Sequence, residues 1–424
     1  MNVVNIGLGY IGLPTAVMLT KAGHRVHGVD TNEMKVNQLK LGKLTIEENG
    51  LHEPFLQALK TERLTIHTRP IKADVFMIAV PTPNQEDEYK SCDLSYVEAA
   101  IQSILPVLEE GNLVIIESTI APRSMGDCII PLLETTGLVS GETLFVAHCP
   151  ERVLPGNMMV ELQENTRIIG GSTTKCTQKI SRFYQTFVSG ELIQTTAEVA
   201  ELTKLMENTY RDVNIALANE FIKIGNELKI DALEAIQMAN KHPRVNIHSP
   251  GPGVGGHCLA VDPYFISAAA PKQSPLIQQA RSINSSMPLY VSKIVDEMME
   301  EAPTNKITIL GLTYKGNIDD IRESPAMEIV HLLNQKKYDV SLYDPHVSMM
   351  IDKYETIEEA TDDSSLLLVL TDHDEFINLK TTTTKMARKL ILDTKSVVQH
   401  FDDNAKYLTL GNTFQTENYE GIKI

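Results

Sequence analysis

The sequence lacks the features that would place the protein in a membrane, on nucleic acid or outside the cell. It has no run of 18 or more apolar residues, and Met1 to Asn5 lack the basic and then apolar pattern of a signal peptide. The formal net charge of −17, from 38 basic and 55 acidic residues, disfavours a general polyanion-binding surface. We therefore expect a cytoplasmic protein that binds neither membranes nor nucleic acid, although a local basic pocket for a phosphate is compatible with this charge.

Cysteine is scarce and irregularly spaced. The five cysteines are Cys92, Cys128, Cys149, Cys176 and Cys258. Their odd number and the lack of C-x-x-C spacing disfavour a disulfide framework and a zinc site. We expect reduced thiols and no metal. The length of 424 residues is too great for one core and predicts two or three domains.

The first thirty residues follow the order strand, glycine turn, helix, strand. The turn has the pattern G-x-G-x-x-G, and Asp30 lies 18 residues after the last glycine. This context is typical of dinucleotide binding: Gly7 permits the tight turn, Gly9 admits the pyrophosphate, and Gly12 allows close helix packing. Asp30 would bind the adenosine ribose and favour NAD over NADP, a preference that Lys35 weakens. The alternative is a glycine turn that serves packing alone.

Three further strands are predicted at 73–80, 112–117 and 144–148. Their apolar runs favour a parallel sheet that is covered on both faces. The loops that follow them are Pro81-Thr82-Pro83, Ser118-Thr119 and Cys149-Pro150-Glu151-Arg152. Because ligands bind outside the carboxyl ends of such strands, Thr119 and Glu151 are candidate site residues. A helix cap and a solvated charge are the respective alternatives.

A long amphipathic helix is predicted from about Thr195 to Lys229. Its apolar residues recur at steps of three or four residues, or a sum of both: Leu202, Met206, Val213, Leu217, Phe221, Ile224 and Leu228. Lys204 and Asn208 share a different face of this helix. A solvated lysine is the alternative to a functional one. Further helices are predicted at about 231–240 and from 275 toward 300.

A glycine-rich loop presents the last cysteine. Residues 250–256 contain four glycines and two prolines, which exclude a regular helix or strand and let backbone amides approach a bound group. Cys258 follows this segment, and Asp262 lies four residues later. Since the thiolate is the nucleophilic form, nearby amide dipoles or a cation would activate Cys258. The alternative is a small buried hydrophobic residue.

A second α/β unit begins at 306–311, with strands near 339–344 and 365–370. It resembles the first unit in its alternation of strands and helices but lacks the G-x-G-x-x-G pattern. We therefore expect no second dinucleotide there. A related ligand that carries phosphate could bind at the same place in this unit. The sequence predicts an α/β fold of two Rossmann-like doubly wound domains joined by a central helical region with a long helix.

Six motifs together resemble those of one enzyme family. They are Gly7-Leu8-Gly9-Tyr10-Ile11-Gly12-Leu13-Pro14, Val80-Pro81-Thr82-Pro83, Glu117-Ser118-Thr119, Pro150-Glu151-Arg152, Gly255-Gly256-His257-Cys258, and Gly311-Leu312-Thr313-Tyr314-Lys315 through Asp319-Asp320-Ile321-Arg322-Glu323-Ser324-Pro325. The chain resembles the UDP-glucose/GDP-mannose dehydrogenase family over essentially its full length. Members of this family oxidise the C6 alcohol of a nucleotide sugar to a carboxylate in two NAD-dependent steps.

The resemblance implies three domains and a homodimer. We expect an NAD-binding Rossmann domain at 1–195, a central helical domain with the cysteine loop and the dimer contact at 196–300, and a UDP-sugar-binding Rossmann-like domain at 301–424. Arg244 matches an arginine that contacts substrate and that the neighbouring subunit supplies in some relatives.

The resemblance also implies catalytic roles. Cys258 would trap the aldehyde after the first hydride transfer, and the second transfer would leave a thioester for hydrolysis. Lys204 and Asn208 match residues that stabilise the oxyanion. Asp262 matches the acid that orients or deprotonates water. The remaining catalytic candidates are Glu151 as a second acid/base group and Thr119 as a residue that holds the reactive centre.

Binding residues follow from the same motifs. The cofactor-binding residues implied are Gly7, Gly9, Tyr10, Ile11, Gly12, Asp30, Lys35, Pro81, Thr82, Thr119 and Arg322. The substrate-binding residues implied are Glu151, Arg152, Lys204, Asn208, Arg244, His248, Gly255, His257 and Lys315. A catalytic Cys–His pair with His257 is disfavoured because adjacent side chains usually point apart.

Two departures bear on the substrate. UDP-glucose dehydrogenases typically read Cys-x-Pro-Lys-Asp, whereas this chain has Ala260 and Val261 before Asp262, and Pro155-Gly156 replaces a second acid. Both features resemble enzymes that act on UDP-N-acetylhexosamines, with the mannosamine enzymes closer than the glucosamine ones. Lys395 stands where relatives often have arginine, which could alter a substrate contact.

We expect a four-electron oxidation of UDP-N-acetyl-D-mannosamine that supplies a uronate for a bacterial surface polysaccharide such as a capsule. The alternatives are oxidation of UDP-N-acetyl-D-glucosamine, a single-step NAD-dependent hydroxyacid dehydrogenase, and a nucleotide-binding or redox-sensing protein without catalysis.

Overall fold

The structure, a computed structural model, describes residues 1–46, 48–153, 156–347 and 353–418. One compact unit comprises Met1–Glu207 and Tyr264–Pro271, and the other comprises Asn208–Pro263 and Lys272–Ile424. The predicted boundaries after residues 195 and 300 stay predictions. Pro155, which replaces the second acid in the sequence pattern, lies outside the described residues.

The first unit is built on an eight-stranded sheet. Its strands are β1 (Asn2–Ile6), β2 (Arg25–Val29), β3 (Leu64–His67), β4 (Val75–Ile78), β5 (Leu113–Ile116), β6 (Phe145–His148), β7 (Arg167–Gly171) and β8 (Leu192–Thr196). They lie in the order β3-β2-β1-β4-β5-β6-β7-β8. The parallel pairing predicted for the first part is confirmed, but β7 runs antiparallel to β6. Gly170 pairs with His148, the last residue of β6, and Gly171 pairs with Ala147, so β7 enters the sheet at the carboxyl end of β6 and runs back along it.

Seven α-helices accompany this sheet: α1 (Gly12–Lys21), α2 (Glu33–Lys40), α3 (His52–Lys60), α4 (Ser95–Ile104), α5 (Ile130–Glu134), α6 (Met158–Glu164) and α7 (Thr174–Tyr184). Two apolar cores result. Val3 and Val75 belong to one core, while Val4 and Phe76, their neighbours in the chain, belong to the other. Because alternate side chains of a strand point to opposite faces, a sheet covered on both sides requires continuous apolar runs.

The predicted long helix is α8 (Ala197–Leu228), which spans 32 residues. Its apolar stripe is largely exposed, with 37% to 60% of the residue surface accessible at Leu202, Met206, Leu217, Phe221, Ile224 and Leu228. Lys204, Asn208, Asp212 and Asn219 lie on the opposite face, and all four are buried. The helix therefore exposes the predicted apolar stripe and buries a face that carries these four polar side chains together with Leu205 and Ile222.

Six further α-helices follow within the described residues: α9 (Ala232–Ala239), α10 (Asp262–Ala269), α11 (Pro275–Ser285), α12 (Met287–Met299), α13 (Pro325–Gln335) and α14 (Ile357–Thr361). The single helix predicted from 275 toward 300 is wrong, because α11 ends and α12 begins around Ser286. Pro288 has no N–H to donate and its ring would clash with the carbonyl four residues back, so it is accommodated in the first turn of a new helix.

Across the described ranges, we find no helix that combines the length and the apolar character needed to cross a bilayer.

The second unit contains a parallel five-stranded sheet. Its strands are β9 (Lys306–Leu310), β10 (Asp339–Tyr343), β11 (Leu366–Val369), β12 (Leu390–Asp393) and β13 (Lys406–Thr409), in the order β10-β9-β11-β12-β13. All four neighbouring pairs are parallel. Together with the first sheet, this confirms the predicted α/β class with two Rossmann-like units.

The turn after the first strand has the same construction in both sheets. Gly7 and Gly311 have φ values of +90° and +87°. After each glycine, the next amide donates to an aspartate that follows the neighbouring strand, over 3.1 Å to Asp30 and 2.7 Å to Asp344. The second unit thus repeats the turn geometry of the first without its glycine fingerprint.

A comparison of Gly7 and Gly23 in the first unit distinguishes the energetic cost of backbone strain from that of a steric clash. Gly7 and Gly23 have φ values of +90° and +93°, but a Cβ on Gly7 would lie 2.3 Å from the Ala79 carbonyl oxygen, whereas a Cβ on Gly23 meets nothing within 4 Å. We expect Gly23→Ala to lower the free energy of unfolding by about 1 kcal/mol through strain. Gly7→Ala should cost roughly 2 kcal/mol more. Urea unfolding followed by circular dichroism measures both, and equal losses would contradict the assigned packing.

Candidate active site

The glycine turn after β1 combines packing constraints with open space. A Cβ on Gly12 would lie 1.8 Å from the Gly7 carbonyl oxygen, so packing requires both glycines. A Cβ on Gly9 meets nothing within 4 Å. The packing alternative therefore explains Gly7 and Gly12 but not Gly9, whose open surroundings suit the close approach of a pyrophosphate. Tyr10 and Ile11 are half-buried beside it.

Asp30 is held at the carboxyl end of β2. One carboxylate oxygen accepts from the Leu8 amide and, over 2.9 Å, from the Lys35 ammonium group, while the other accepts from the Asn32 amide. The position suits hydrogen bonds to a ribose. Lys35 offsets part of the negative charge, which is the effect that the sequence indicated.

The loops after β4 and β5 meet. The Thr82 hydroxyl donates to the Thr119 carbonyl over 2.7 Å. Ser118 bonds to both backbone groups of Val80, which strengthens the connection. Thr119 is not a helix cap, because Ser124 holds the N-cap position of the next helical turn. The predicted cofactor residues Thr82 and Thr119 therefore lie together, with the exposed Pro81 adjacent to Thr82.

Glu151 belongs to a buried charge cluster. It is 6% exposed and forms an ion pair with Arg167, which is 2% exposed. The Arg152 amide donates to Glu151 over 2.6 Å, and the Arg152 guanidinium pairs with Glu207. The interpretation of Glu151 as a solvated charge is therefore wrong, since the chain folds it against Arg167 on β7.

Glu117, the residue after β5, lies in the same cluster. Burial raises the pKa of its carboxyl to about 7, and the negative charge of Glu151 contributes in the same direction. The Tyr184 hydroxyl donates to this carboxyl over 2.9 Å. Two buried carboxyl groups near one arginine cannot both ionise without cost, so Glu117 takes up protons more readily than an exposed glutamate.

Lys204 is buried near the carboxyl end of β6. It is 9% exposed, so the solvated alternative is wrong. Burial lowers the pKa of His148 to about 3, and the positive charge of Lys204 also lowers it. The His148 ring is fixed by the Ile116 carbonyl at 3.0 Å. A neutral His148 leaves the Lys204 ammonium group in surroundings where a cation interacts strongly with an oxyanion.

In the second unit, Cys258 lies in a turn that leads into α10. Its carbonyl accepts from the amides of Val261 at 3.0 Å and Asp262 at 2.8 Å. Cys258 is partly exposed, in contrast to the buried hydrophobic cysteine of the alternative. Asp262 is 2% exposed, and its carboxylate accepts from the Asn208 side-chain amide over 2.6 Å. The structure thus brings Cys258, Asp262 and Asn208 into one local arrangement.

The glycines before Cys258 are packed against another part of this unit. A Cβ on Gly255 would lie 2.4 Å from the Glu323 carbonyl oxygen, and one on Gly256 would lie 2.8 Å from the Tyr314 ring. Burial raises the pKa of Tyr314 to about 12, with smaller effects from the charges of Asp320 and Cys258. Gly255 is therefore required by packing, and Tyr314 lies near the thiol.

The His257 ring contacts the side chain of Arg322. Its Nδ1 is 3.3 Å from the Arg322 guanidinium, which pairs with Asp320 at 2.6 Å. Lys315 and Arg244 are exposed. The partly buried His248 donates its amide to Asn214 over 2.9 Å. These contacts leave the predicted cofactor role of Arg322 and the substrate roles of the other four residues as predictions.

Three side chains of the second unit have the spacing of a metal site. Ligand atoms of His346, His373 and Glu375 lie within 4.8 Å of one another. However, His373 Nδ1 accepts from the Asn317 amide at 2.9 Å, and its Nε2 lies 3.2 Å from Asp344. Both ring nitrogens of His373 therefore have protein partners, and the two imidazole rings are stacked at 4.6 Å. We assign no metal to this group.

Several residues of the site were missed by sequence reasoning. Glu117 directly follows one apolar strand, and Arg167 is the first residue of another. A charged residue at the end of an apolar run was therefore the signal that could have identified them. Asp212 lies one helical turn after Asn208, and extending the series from Lys204 would have found it. For Tyr184 the sequence offered no comparable signal.

Glu117 should make folding depend on pH. Its carboxyl titrates near 4.5 when unfolded and at about 7 when folded, so folding takes up a proton between these values. The contribution of Glu117 to the free energy of unfolding is therefore present below pH 4.5 and is lost as the pH rises to about 7.

Glu117→Gln should remove this dependence. The difference between the unfolding free energies of the wild type and the variant should fall by up to about 1.4 kcal/mol per pH unit in this window. The comparison of the two proteins is needed because His148 gives the free energy of unfolding the opposite pH dependence. This contribution is present in both proteins and cancels in the difference. Urea unfolding at several pH values measures it, and a constant difference would contradict the prediction.

Known proteins match this chain along nearly its whole length. Three domains of the UDP-glucose/GDP-mannose dehydrogenase family match it: the NAD binding domain at residues 1–188, the central domain at 198–286 and the UDP binding domain at 308–400. UDP-N-acetyl-D-mannosamine dehydrogenase of Methanococcus maripaludis is 46% identical over 406 residues, 93% of this chain and 92% of that protein.

Two further relatives agree with these matches. NDP-N-acetyl-D-galactosaminuronic acid dehydrogenase of Ralstonia nicotianae is 42% identical over 405 residues, 92% of this chain and 95% of that protein. The solved structure of the UDP-N-acetyl-mannosamine dehydrogenase Cap5O from Staphylococcus aureus is 51% identical, with a TM-score of 0.93, and covers 99% of this chain and 100% of that chain. The chain therefore belongs to the UDP-glucose/GDP-mannose dehydrogenase family and is an NAD-dependent nucleotide-sugar dehydrogenase.

Proposed function

We propose that this enzyme oxidises the C6 alcohol of UDP-N-acetyl-D-mannosamine to a carboxylate, with Cys258 as the nucleophile. The observation that carries the proposal is the arrangement of Cys258, Asp262 and Asn208. A partly exposed thiol lies one helical turn before a buried carboxylate, and a side-chain amide holds that carboxylate at 2.6 Å. Nucleophile, acid/base group and hydrogen-bond donor are the parts that thioester chemistry needs.

Cys258 performs the covalent part of the reaction. The turn formed by residues 7–12 would hold NAD, which would supply the hydride acceptor, one NAD for each of the two oxidations. The Cys258 thiolate adds to the aldehyde carbon, forming a C–S bond and an oxyanion that becomes a thiohemiacetal. After the second oxidation this adduct is a thioester. Water adds to its carbonyl, the C–S bond breaks, and the thiolate returns as the carboxylate leaves.

The polar side chains proposed for this reaction have separate roles. The Lys204 ammonium group and the Asn208 amide stabilise the oxyanion, since both are buried on one face of α8 and lie one turn apart. Asp262 accepts the proton of the attacking water, because its carboxylate is already oriented by Asn208. Glu151 is a second acid/base group, and its ion pair with Arg167 holds its position.

The choice of sugar rests on the relatives and on the loop after Cys258. The archaeal relative and the staphylococcal structure are both named for UDP-N-acetylmannosamine. Ala260, which replaces the proline of UDP-glucose enzymes, is buried in the turn before Asp262. The C2 epimer, UDP-N-acetyl-D-glucosamine, is the second candidate. Supply of a capsular polysaccharide and a cytoplasmic location stay predictions from the sequence.

We also propose that the enzyme is a homodimer formed through the exposed stripe of α8. Apolar side chains from Leu202 to Leu228 lie on one face, and the 26 residue steps from the first to the last span about 39 Å of helix. An apolar surface of this length is typical of a protein interface. A second copy of the chain is the occupant that the predicted role of Arg244 requires.

The amount of NADH formed per sugar tests the reaction. Limiting UDP-N-acetyl-D-mannosamine with excess NAD should yield about two NADH per sugar, because the aldehyde is oxidised before release. Cys258→Ser should yield about one or fewer. Lys204→Ala should keep about two but lower kcat by roughly 10²- to 10³-fold, since it weakens oxyanion stabilisation in both oxidations.

The other candidate functions give different results. One NADH per sugar in the wild type, with no effect of Cys258→Ser, would indicate a single-step dehydrogenase. Absence of NADH with UDP-N-acetyl-D-mannosamine and with UDP-N-acetyl-D-glucosamine would exclude both proposed substrates. A parallel assay with the glucosamine epimer measures the preference at C2.

The oligomer has its own test. Ile224 is 46% exposed on the apolar stripe, so Ile224→Glu should convert the dimer to a monomer in sedimentation velocity. Met238→Glu is the matched control, because Met238 is 64% exposed on the separate helix α9. A monomeric wild type, or dissociation by Met238→Glu alone, would contradict the proposed interface.

A further inference from the structure

A buried polar network lies behind the Cys258 loop. It consists of Asp212 and Asn219 on α8 and Arg281 and Asn284 on α11. None of these four residues is more than 5% exposed. They lie in the second unit, and neither the sequence motifs nor the proposed chemistry uses them. Four polar side chains that are buried to this extent need hydrogen-bond partners within the protein.

The four side chains form a continuous chain of hydrogen bonds. The Arg281 guanidinium pairs with Asp212 Oδ1 at 2.6 Å. Asn284 donates to the same oxygen at 2.8 Å and to the Asp212 carbonyl at 3.0 Å. Asn219 donates to Asn284 over 2.9 Å. Because each partner constrains the next, α8 and α11 are held in one register at this level.

Both ends of the network reach the Cys258 loop. Asn219 Oδ1 accepts from the Gly251 amide over 2.9 Å, at the start of the loop. Arg281 lies 3.5 Å from the carbonyl of Leu259, the residue after Cys258. The first contact is strong and the second weak, but together they tie the loop to α8 and α11 on either side of the thiol.

Stability alone does not explain the ion pair in this network. Burial raises the pKa of Asp212 despite Arg281 and Asn284, so the carboxylate is less stable here than in water. Its Oδ2 has no hydrogen-bond partner among the described residues. A buried ion pair of this kind is often no more stable than apolar residues of equal volume, whereas its geometry is directional. A loop with four glycines in seven residues has little rigidity of its own.

We propose that Asp212, Asn219, Arg281 and Asn284 are positioning residues that fix both sides of the Cys258 loop and so hold the nucleophile where the aldehyde forms. The inference rests on the proposed role of Cys258. Its consequence is specific to the second oxidation. A displaced thiol captures the aldehyde less efficiently, so the aldehyde escapes before it is oxidised.

The double variant Asp212→Leu/Arg281→Met tests this proposal without leaving an unpaired buried charge. We expect the amides of residues 251–262 to exchange hydrogen at least about tenfold faster, because the loop loses the Arg281 contact to Leu259 and Asn284, which orients Asn219, loses its bond to the Asp212 carboxylate. With UDP-N-acetyl-D-mannosamine and NAD, kcat should fall by about 10- to 100-fold. The NADH formed per sugar should move from two toward one, while KM changes little.

Thr308→Val is the matched control for a loss of buried polar contacts. Thr308 is fully buried on β9 in the same unit, and its hydroxyl bonds to Ser364 and to the Ala360 carbonyl, away from the Cys258 loop. This variant should lower the midpoint of urea unfolding but keep two NADH per sugar and the wild-type exchange of residues 251–262. A purely structural network would give the same result for both variants.

The remaining outcomes are also decisive. If the folded double variant keeps the wild-type kcat, two NADH per sugar and slow exchange, the proposal is overturned. If it does not fold, Arg281→Lys decides, since lysine keeps the charge but lacks the guanidinium fork: fewer than two NADH per sugar supports the proposal, and wild-type behaviour overturns it. Absence of two NADH per sugar in the wild type would instead overturn the proposed function, and hydrogen exchange would still report on the loop.

Discussion

The burial of the polar face of α8 is the constraint on which the candidate site depends. In an ordinary surface helix the apolar stripe packs inward, but here Lys204, Asn208, Asp212 and Asn219 are buried while the apolar stripe is accessible. Buried polar groups must have partners, so this face determines what packs against it. Asp262 accepts a hydrogen bond from Asn208, and Arg281 donates to Asp212 Oδ1. The hydrogen-bond partners that these buried side chains of α8 require therefore determine which residues lie together in the candidate site.

The two sheets show how a common turn is adapted to different tasks. Gly7 and Gly311 make the same left-handed turn, and an aspartate accepts the next amide in each case. Only the first turn continues with Gly9, whose surroundings are open, and with Gly12, which packing against Gly7 requires. Similar local backbone therefore carries different ligand chemistry because the residues after the turn differ, in agreement with the NAD and UDP binding domains that match these regions.

Local patterns predicted the strands and the glycine turn well, because neighbouring residues decide them. The runs that form β4, β5 and β6 are buried on both faces as expected. Partners that are distant in the chain were not predictable. Glu151 meets Arg167 on an antiparallel strand that the sequence did not indicate, and Tyr184 reaches Glu117 from 67 residues away. Such pairs depend on how elements pack, which no spacing in one sequence records.

The sequence by itself determined the α/β class, the glycine turn after the first strand and the position of Cys258 after a glycine-rich segment. These features follow from local physical chemistry: apolar periodicity, the left-handed freedom of glycine and the reactivity of a thiolate. Only the tertiary structure decided which face of α8 is buried, that Glu151 is paired, and that Asn219 and Arg281 contact the chain on either side of Cys258. Burial and hydrogen-bond partners are properties of the packed chain, because they arise when α8, α11 and the loop occupy the same space.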